Sequence, residues 1–91
     1  MSLIRRETRA KDGNVYEYSL YVTESARVAS FHLPLYSIEI KLTLKNGTSW
    51  EYLARDVFSN TSRAISFFEM LVQTLATPMS LPYIIDESLY V

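Results

Sequence analysis

Ten residues of strict alternation, Tyr36 to Lys45, constrain the fold of this chain more than any other feature. Apolar side chains occupy every second position, and polar or charged side chains occupy the positions between them. This two-residue period is typical of a strand with one buried face. Asn46-Gly47 follows, and then a second segment with apolar residues, Thr48 to Ala54. Residues 36–54 are therefore predicted to form a β-hairpin.

The register of this hairpin follows from the need to keep charge off its apolar face. A two-residue turn would place Glu51 opposite Leu42, whereas a three-residue loop that ends on a left-handed Gly47 places Trp50 there. A slip of one residue exchanges the two faces of a strand, so the three-residue loop is predicted. Lys41 then lies opposite Glu51 on the solvent face.

A second hairpin is predicted over residues 4–22. Lys11-Asp12-Gly13 separates two extended segments, and a three-residue loop here would pair Arg6 with Tyr18. The first strand carries charges that discourage pairing with other chains. Residues 23–35 lie between the two hairpins and have no settled assignment, because part of the segment suits a strand while Pro34 interrupts any ladder.

The rest of the chain is predicted to be helical. Residues 60–76 follow Ser59 as a cap and repeat apolar residues at helical spacing, and a short helix over 81–89 follows Ser80. Strands followed by helices, without alternation between them, predict an α+β fold. The expected single domain is an antiparallel sheet of four or so strands, in two hairpins, covered on one face by one long helix, plus a short C-terminal helix.

The aromatic residues of the chain, seven Tyr, four Phe and one Trp, are expected to supply most of the core. The rings expected between sheet and helix are Tyr16, Tyr18, Trp50, Tyr52 and Phe68. The tyrosines expected at the surface are Tyr21, Tyr36, Tyr83 and Tyr90. This division leaves more aromatic side chains than a monomeric core of this size needs.

The predicted long helix leaves two apolar side chains outside its buried stripe. If Phe68 is at the centre of the stripe, Phe67 lies about 100° to one side and Met70 about 160° away. Either the C-terminal segment folds back over them or another chain covers them. Phe67 and Met70, with Tyr83 and Tyr90, are therefore the candidate contacts with a second copy or another protein.

Catalysis is not expected from this sequence. The chain has no cysteine and one histidine, which excludes disulfides, thiolate zinc sites and cysteine nucleophiles. His32 and Asp56 are the alternative enzymatic or small-ligand site, but no carboxylate or nucleophile is predicted beside His32, and Asp56 precedes a helix start, where its charge is favourable. No catalytic residue, cofactor site or metal site is predicted.

A weak nucleic-acid site is a further alternative. Four bases lie near the N-terminus and are the candidate phosphate contacts: Arg5, Arg6, Arg9 and Lys11. The isoelectric point of about 5.7 is far below that of most nucleic-acid-binding domains, so a protein partner is favoured. No apolar run exceeds three residues, and we expect a cytoplasmic chain without a membrane segment or a leader.

Three segments of the chain resemble a known family. Tyr36 to Ile40, Asp56 to Ser59 and Thr77 to Glu87 are similar to segments of a small uncharacterised bacterial family common in Clostridia, domain of unknown function 6514. Its members resemble this sequence over most of the chain, and Ser37 stands where they tend to have glycine. The resemblance implies no activity and no functional residues.

Overall fold

Four antiparallel strands and two helices make up the fold. The computed structural model describes the backbone of residues 1–28 and 31–89 and the side chains of residues 1–23 and 34–87. The elements in chain order are β1 (Ser2–Lys11), β2 (Asn14–Val28), β3 (Phe31–Thr43), β4 (Ser49–Phe58), α1 (Thr61–Gln73) and α2 (Leu81–Leu89). The sheet order is β1-β2-β3-β4, so β1 and β4 are its edges. The predicted α+β fold is confirmed.

The hairpin of β3 and β4 has the predicted register. Trp50 pairs with Leu42, and the turn is closed by the Leu44 N–H, which donates to the Thr48 carbonyl at 2.7 Å. Gly47 has a φ of +91°, a conformation that side chains other than glycine rarely adopt. The three-residue loop is therefore confirmed.

The register of β1 against β2 differs from the prediction by one residue. Only Asp12 and Gly13 form the turn, with φ values of 56° and 84°, as in a two-residue type I′ turn. The predicted three-residue loop is wrong because aspartate tolerates this left-handed conformation. Arg6 consequently pairs with Ser19 instead of Tyr18. Side chains of β1 from residue 5 onward lie on the face opposite to the one predicted.

Residues 23–35 extend the sheet instead of separating two hairpins. Thr23 pairs with Leu35, and the ladder between β2 and β3 continues to Val28. The two strands therefore reach 15 and 13 residues. The register shifts near Pro34, which has no N–H to donate to a ladder.

The first helix begins one residue later than predicted and ends earlier. Its cap is Asn60 and not Ser59: the Asn60 Oδ1 accepts the Arg63 N–H at 3.0 Å. At the other end the Thr74 hydroxyl donates to the Met70 carbonyl at 2.9 Å, and the next residue, Leu75, has a φ of +52°. The helix is therefore α1, Thr61–Gln73, in place of the predicted 60–76.

The second helix has the predicted bounds, but Thr77 caps it together with Ser80. Thr77 and Ser80 form a reciprocal capping pair: each backbone N–H donates to the hydroxyl of the other residue, at 3.1 and 3.2 Å. This pair stabilises the turn that leads into α2. Among the residues that the structure describes, no helix has both the length and the hydropathy needed to cross a membrane.

Both helices contribute to one core on a single face of the sheet. The fully buried apolar side chains are Tyr18, Leu20, Ile38, Ile40, Ala64, Phe68, Leu71 and Leu81. The Tyr18 hydroxyl donates to the Ala76 carbonyl at 2.9 Å, so its polar atom is satisfied inside the core. Burial, assisted by nearby Tyr16, raises the pKa of Tyr18 to about 12. The core therefore ties β2 to the segment between the helices.

Candidate functional site

The contact residues predicted on α1 lie largely inside the protein. Phe67 is 7% exposed, and its ring centre lies 5.0 Å from that of Phe58. Met70 is half-buried against the same core. The expectation that Phe67 faces solvent is wrong because α1 is rotated so that Phe67 and Phe68 share the buried face. Ile65 of the same helix is half-buried.

The C-terminal segment folds back onto the core and carries one exposed contact candidate. Leu81 and Ile85 of α2 belong to the same buried cluster as Phe67. Tyr83, on the same helix, is 73% exposed. Tyr90 lies outside the described residues. Of the four predicted contact residues, Tyr83 is thus the one that the structure places in solvent.

The four N-terminal bases do not share one surface. Arg5 and Arg9 lie on the helix side of the sheet, and Lys11 follows them by alternation. Arg6 lies on the opposite face, where its Nε is 3.7 Å from a Glu17 carboxylate oxygen. The observed register therefore does not bring all four bases onto one face of the sheet.

A small charged pocket of about 90 Å³ lies between β1 and α1. Arg5 pairs with Glu7 at 3.3 Å and with Glu69 at 3.5 Å, and Arg9 pairs with the other Glu7 oxygen at 3.3 Å. The Arg5 guanidinium also lies 5.6 Å from the centre of the Phe68 ring. Because acids already neutralise these two arginines, the pocket joins β1 to α1 and offers no free charge to an anion.

The structure describes Asp56 but not the side chain of His32, its partner in the alternative site. Asp56 is part of a β-bulge opposite Ser37, has a φ of +54°, and donates its N–H to the Ser37 Oγ at 2.9 Å. His32 precedes Ser37 by five residues on β3, which separates the two backbones by about 16 Å. Because the His32 side chain lies outside the described residues, the enzymatic or small-ligand alternative on this pair stays a prediction. The described part of the chain also holds no group of three metal-ligating side chains.

Exposed aromatic side chains gather at the end of the sheet near the two tight turns. On the helix side, residues that pair across β1, β2, β3 and β4 form rows, which follow one another toward this end of the sheet. The first row is Arg5, Leu20, Ile38 and Ala54. The next is Glu7, Tyr18, Ile40 and Tyr52, and the last is Arg9, Tyr16, Leu42 and Trp50. Trp50 and Tyr52 are 42% and 41% exposed, while Leu42 is buried between its neighbours. We name Tyr16, Leu42, Trp50 and Tyr52 the aromatic patch.

The aromatic patch exists because α1 is shorter than the strands beneath it. Thirteen helical residues span about 20 Å, whereas the 13 residues of β3 span about 43 Å. The prediction that Trp50 and Tyr52 lie in the core is therefore wrong. Tyr36, expected at the surface, is buried, and its hydroxyl bonds to that of Thr61 at the start of α1. A comparison of element lengths would have located the uncovered end.

Basic side chains lie beside the aromatic patch on β1 and at the turns. The two turns at this end lie together, since the Lys45 N–H donates to the Asn14 Oδ1 at 3.0 Å and the Lys45 stem covers Gly13. Lys11 and Arg9 follow the same face along β1. The arrangement can therefore bury an apolar group on the rings and hold an acidic group at the margin.

One comparison with known proteins identifies a family. A family model described as "Family of unknown function (DUF6514)" matches residues 1–91, which confirms the resemblance found in the sequence. Comparisons with the curated proteins and with the solved structures find no match. Since the family model covers all 91 residues, the chain belongs to this family of unknown function.

Proposed function

We propose that this chain is a non-catalytic, cytoplasmic protein-binding module whose aromatic patch takes up an acidic segment with apolar side chains from another protein. The observation that carries the proposal is the exposure of Trp50 and Tyr52 on the face of the sheet against which the helices pack. The absence of cysteine suits a reducing compartment.

The aromatic patch has the composition of a binding hot spot. Tryptophan and tyrosine are enriched among residues that dominate binding energies, and here Trp50 and Tyr16 lie on either side of the buried Leu42. Covering about 100 Å² of either exposed ring would contribute about 2 kcal/mol. Tryptophan and tyrosine side chains have few rotatable bonds, so little conformational entropy is lost when they are covered.

Charge selects the class of partner. The margin of the aromatic patch carries Arg9, which is paired with Glu7, and Lys11 and Lys45, which form no ion pair with any side chain that the structure describes. Because complementary charge speeds association and excludes like-charged competitors, a segment with Asp or Glu beside its apolar residues fits this surface. Single-stranded nucleic acid is the second candidate partner. Its nucleobases would stack on the aromatic rings, and its phosphates would face the basic side chains.

Selection from a library of random peptides on phage is expected to yield sequences in which an aromatic or leucine residue is flanked by acidic residues. The variant Trp50→Ala is expected to bind such a peptide about 30-fold more weakly, since a hot-spot side chain contributes about 2 kcal/mol. Isothermal titration calorimetry measures both affinities.

The matched control for this experiment is Tyr83→Ala, which removes an exposed aromatic side chain from α2, outside the aromatic patch. It is expected to bind the selected peptide as the unaltered chain does. Equal binding by Trp50→Ala would contradict the proposal. A thymidine oligonucleotide that binds in place of any peptide, with an affinity that falls steeply with salt, would favour the nucleic-acid candidate.

A further inference from the structure

The two edges of the sheet differ in how well they are protected. Half of the ten residues of β1 are charged, and its register shifts between Leu3 and Arg5, two devices that prevent pairing with another strand. The other edge, β4, has three charged residues in ten, and its register shift comes only after Ala54, so it pairs regularly with β3 from Ser49 to Ala54. β4 is thus the edge open to a further strand.

We infer that two copies of this chain pair through β4 in antiparallel orientation, with Leu53 facing Leu53 of the partner subunit. The pairing would join the two sheets into one of eight strands, with the helices of both copies on the same face. The pairing uses the backbone edge of β4, the strand that also carries Trp50 and Tyr52 of the aromatic patch. It is argued from backbone groups and charges, so the inference does not depend on the proposed function.

The backbone of β4 offers the hydrogen-bonding groups that such a pair requires. Leu44 bonds to Thr48 at the start of the β3–β4 ladder, and bonded pairs recur at every second residue. Even-numbered residues of β4 up to Ala54 therefore direct their N–H and C=O groups toward β3. Odd-numbered residues from Ser49 to Leu53 direct theirs outward. In a pair centred on Leu53, the outward groups of Leu53 would bond to those of Leu53 of the partner subunit, and those of Glu51 would meet Arg55 of the partner subunit, just before the bulge.

Charge selects one register among those that the backbone allows. Centring the pair on Glu51 would set two carboxylates against each other, and centring it on Tyr52 would set Glu51 against Leu53 of the partner subunit. Centring it on Leu53 sets Glu51 opposite Arg55 of the partner subunit, twice per dimer. The same register sets Tyr52 opposite the small Ala54 of the partner subunit. Opposite charges directly across a ladder stabilise it.

The side chains named for this register are free to make those contacts. Glu51 and Arg55 are exposed, and neither forms an ion pair with any side chain that the structure describes. Leu53 is half-buried on the polar face of the sheet, where its copy would cover it. The bulge at Asp56 ends the regular edge, so each copy contributes a short segment and the dimer is expected to be of micromolar affinity.

Two charge reversals test the register. Glu51→Arg creates Arg–Arg contacts across the pair, and Arg55→Glu creates Glu–Glu contacts, so each is expected to raise the dimer dissociation constant about tenfold or more. An equimolar mixture of the two variants restores opposite charges and is expected to form a heterodimer. Sedimentation velocity over a concentration series measures all three samples, and circular dichroism checks that each variant is folded.

Each possible result either supports the inference or overturns it. A dimer that weakens in either variant and returns in the mixture supports pairing through β4 in this register. An unaltered chain that stays monomeric into the millimolar range overturns the inference, and so does a dimer that is indifferent to both reversals. The double variant Glu51→Arg/Arg55→Glu, which keeps the complementary charges within one chain, is expected to dimerise as the unaltered chain does.

Discussion

Replacing Phe67 with alanine is expected to lower the free energy of unfolding by about 3 to 5 kcal/mol. The Phe67 ring packs against Phe58 with centres 5.0 Å apart and is 7% exposed, so its removal leaves a cavity between α1 and β4. A domain of this size has about 5 to 15 kcal/mol of stability in total, and the loss is therefore a large part of it. Urea denaturation measures the change.

The control for this substitution is the exposed Tyr83. Tyr83→Ala removes a larger side chain but is expected to change the free energy of unfolding by less than about 0.5 kcal/mol. Similar stabilities for Phe67→Ala and the unaltered chain would contradict the position given to Phe67. If the substitution instead changed the oligomeric state and left the stability unaltered, Phe67 would be a contact residue, as the sequence first predicted.

Raising the pH from 10 to 12 is expected to cost the folded chain about 2 to 3 kcal/mol through Tyr18 alone. Burial raises the pKa of this hydroxyl from 10.0 to about 12. Between these values the unfolded chain releases the proton while the folded chain keeps it. The contribution is therefore complete below pH 10 and is lost as the pH rises toward 12.

The variant Tyr18→Phe isolates this effect from other alkaline changes. It is expected to lose about 1 to 3 kcal/mol at neutral pH, because the Ala76 carbonyl loses its hydrogen bond inside the core. Its stability should then fall less steeply than that of the unaltered chain between pH 10 and 12. Parallel denaturation curves across this range would show that Tyr18 is not the group responsible.

The success of the hairpin prediction depended on burial. In β3 and β4 one register keeps Glu51 away from the apolar face, so the sequence distinguishes the two choices. In β1 charged residues occur on both faces. A one-residue slip would therefore bury about as much charge as the observed register does, and burial does not distinguish the two. The choice there depends on the left-handed Asp12 and on the contact of Arg5 with Phe68 of α1, which is a tertiary interaction.

The candidate site was missed for a related reason. Alternation places Trp50 and Tyr52 on the correct face of the sheet, but it does not indicate how far along that face a helix extends. The rotation of α1 was also undetermined, because Ile65, Phe67 and Phe68 are all apolar. The structure resolves the choice by packing Phe67 against Phe58 and folding α2 onto the same core.

The fluorescence of Trp50 tests most directly the claim that the aromatic patch is open in the free chain and is covered by an acidic partner. Trp50 is the only tryptophan in the sequence, so its signal needs no further assignment. In dilute monomer we predict long-wavelength emission that acrylamide quenches readily, and a shift to shorter wavelength when a selected acidic peptide is added. Short-wavelength emission that is protected from acrylamide in the free monomer, and unchanged by the peptide, would contradict the account.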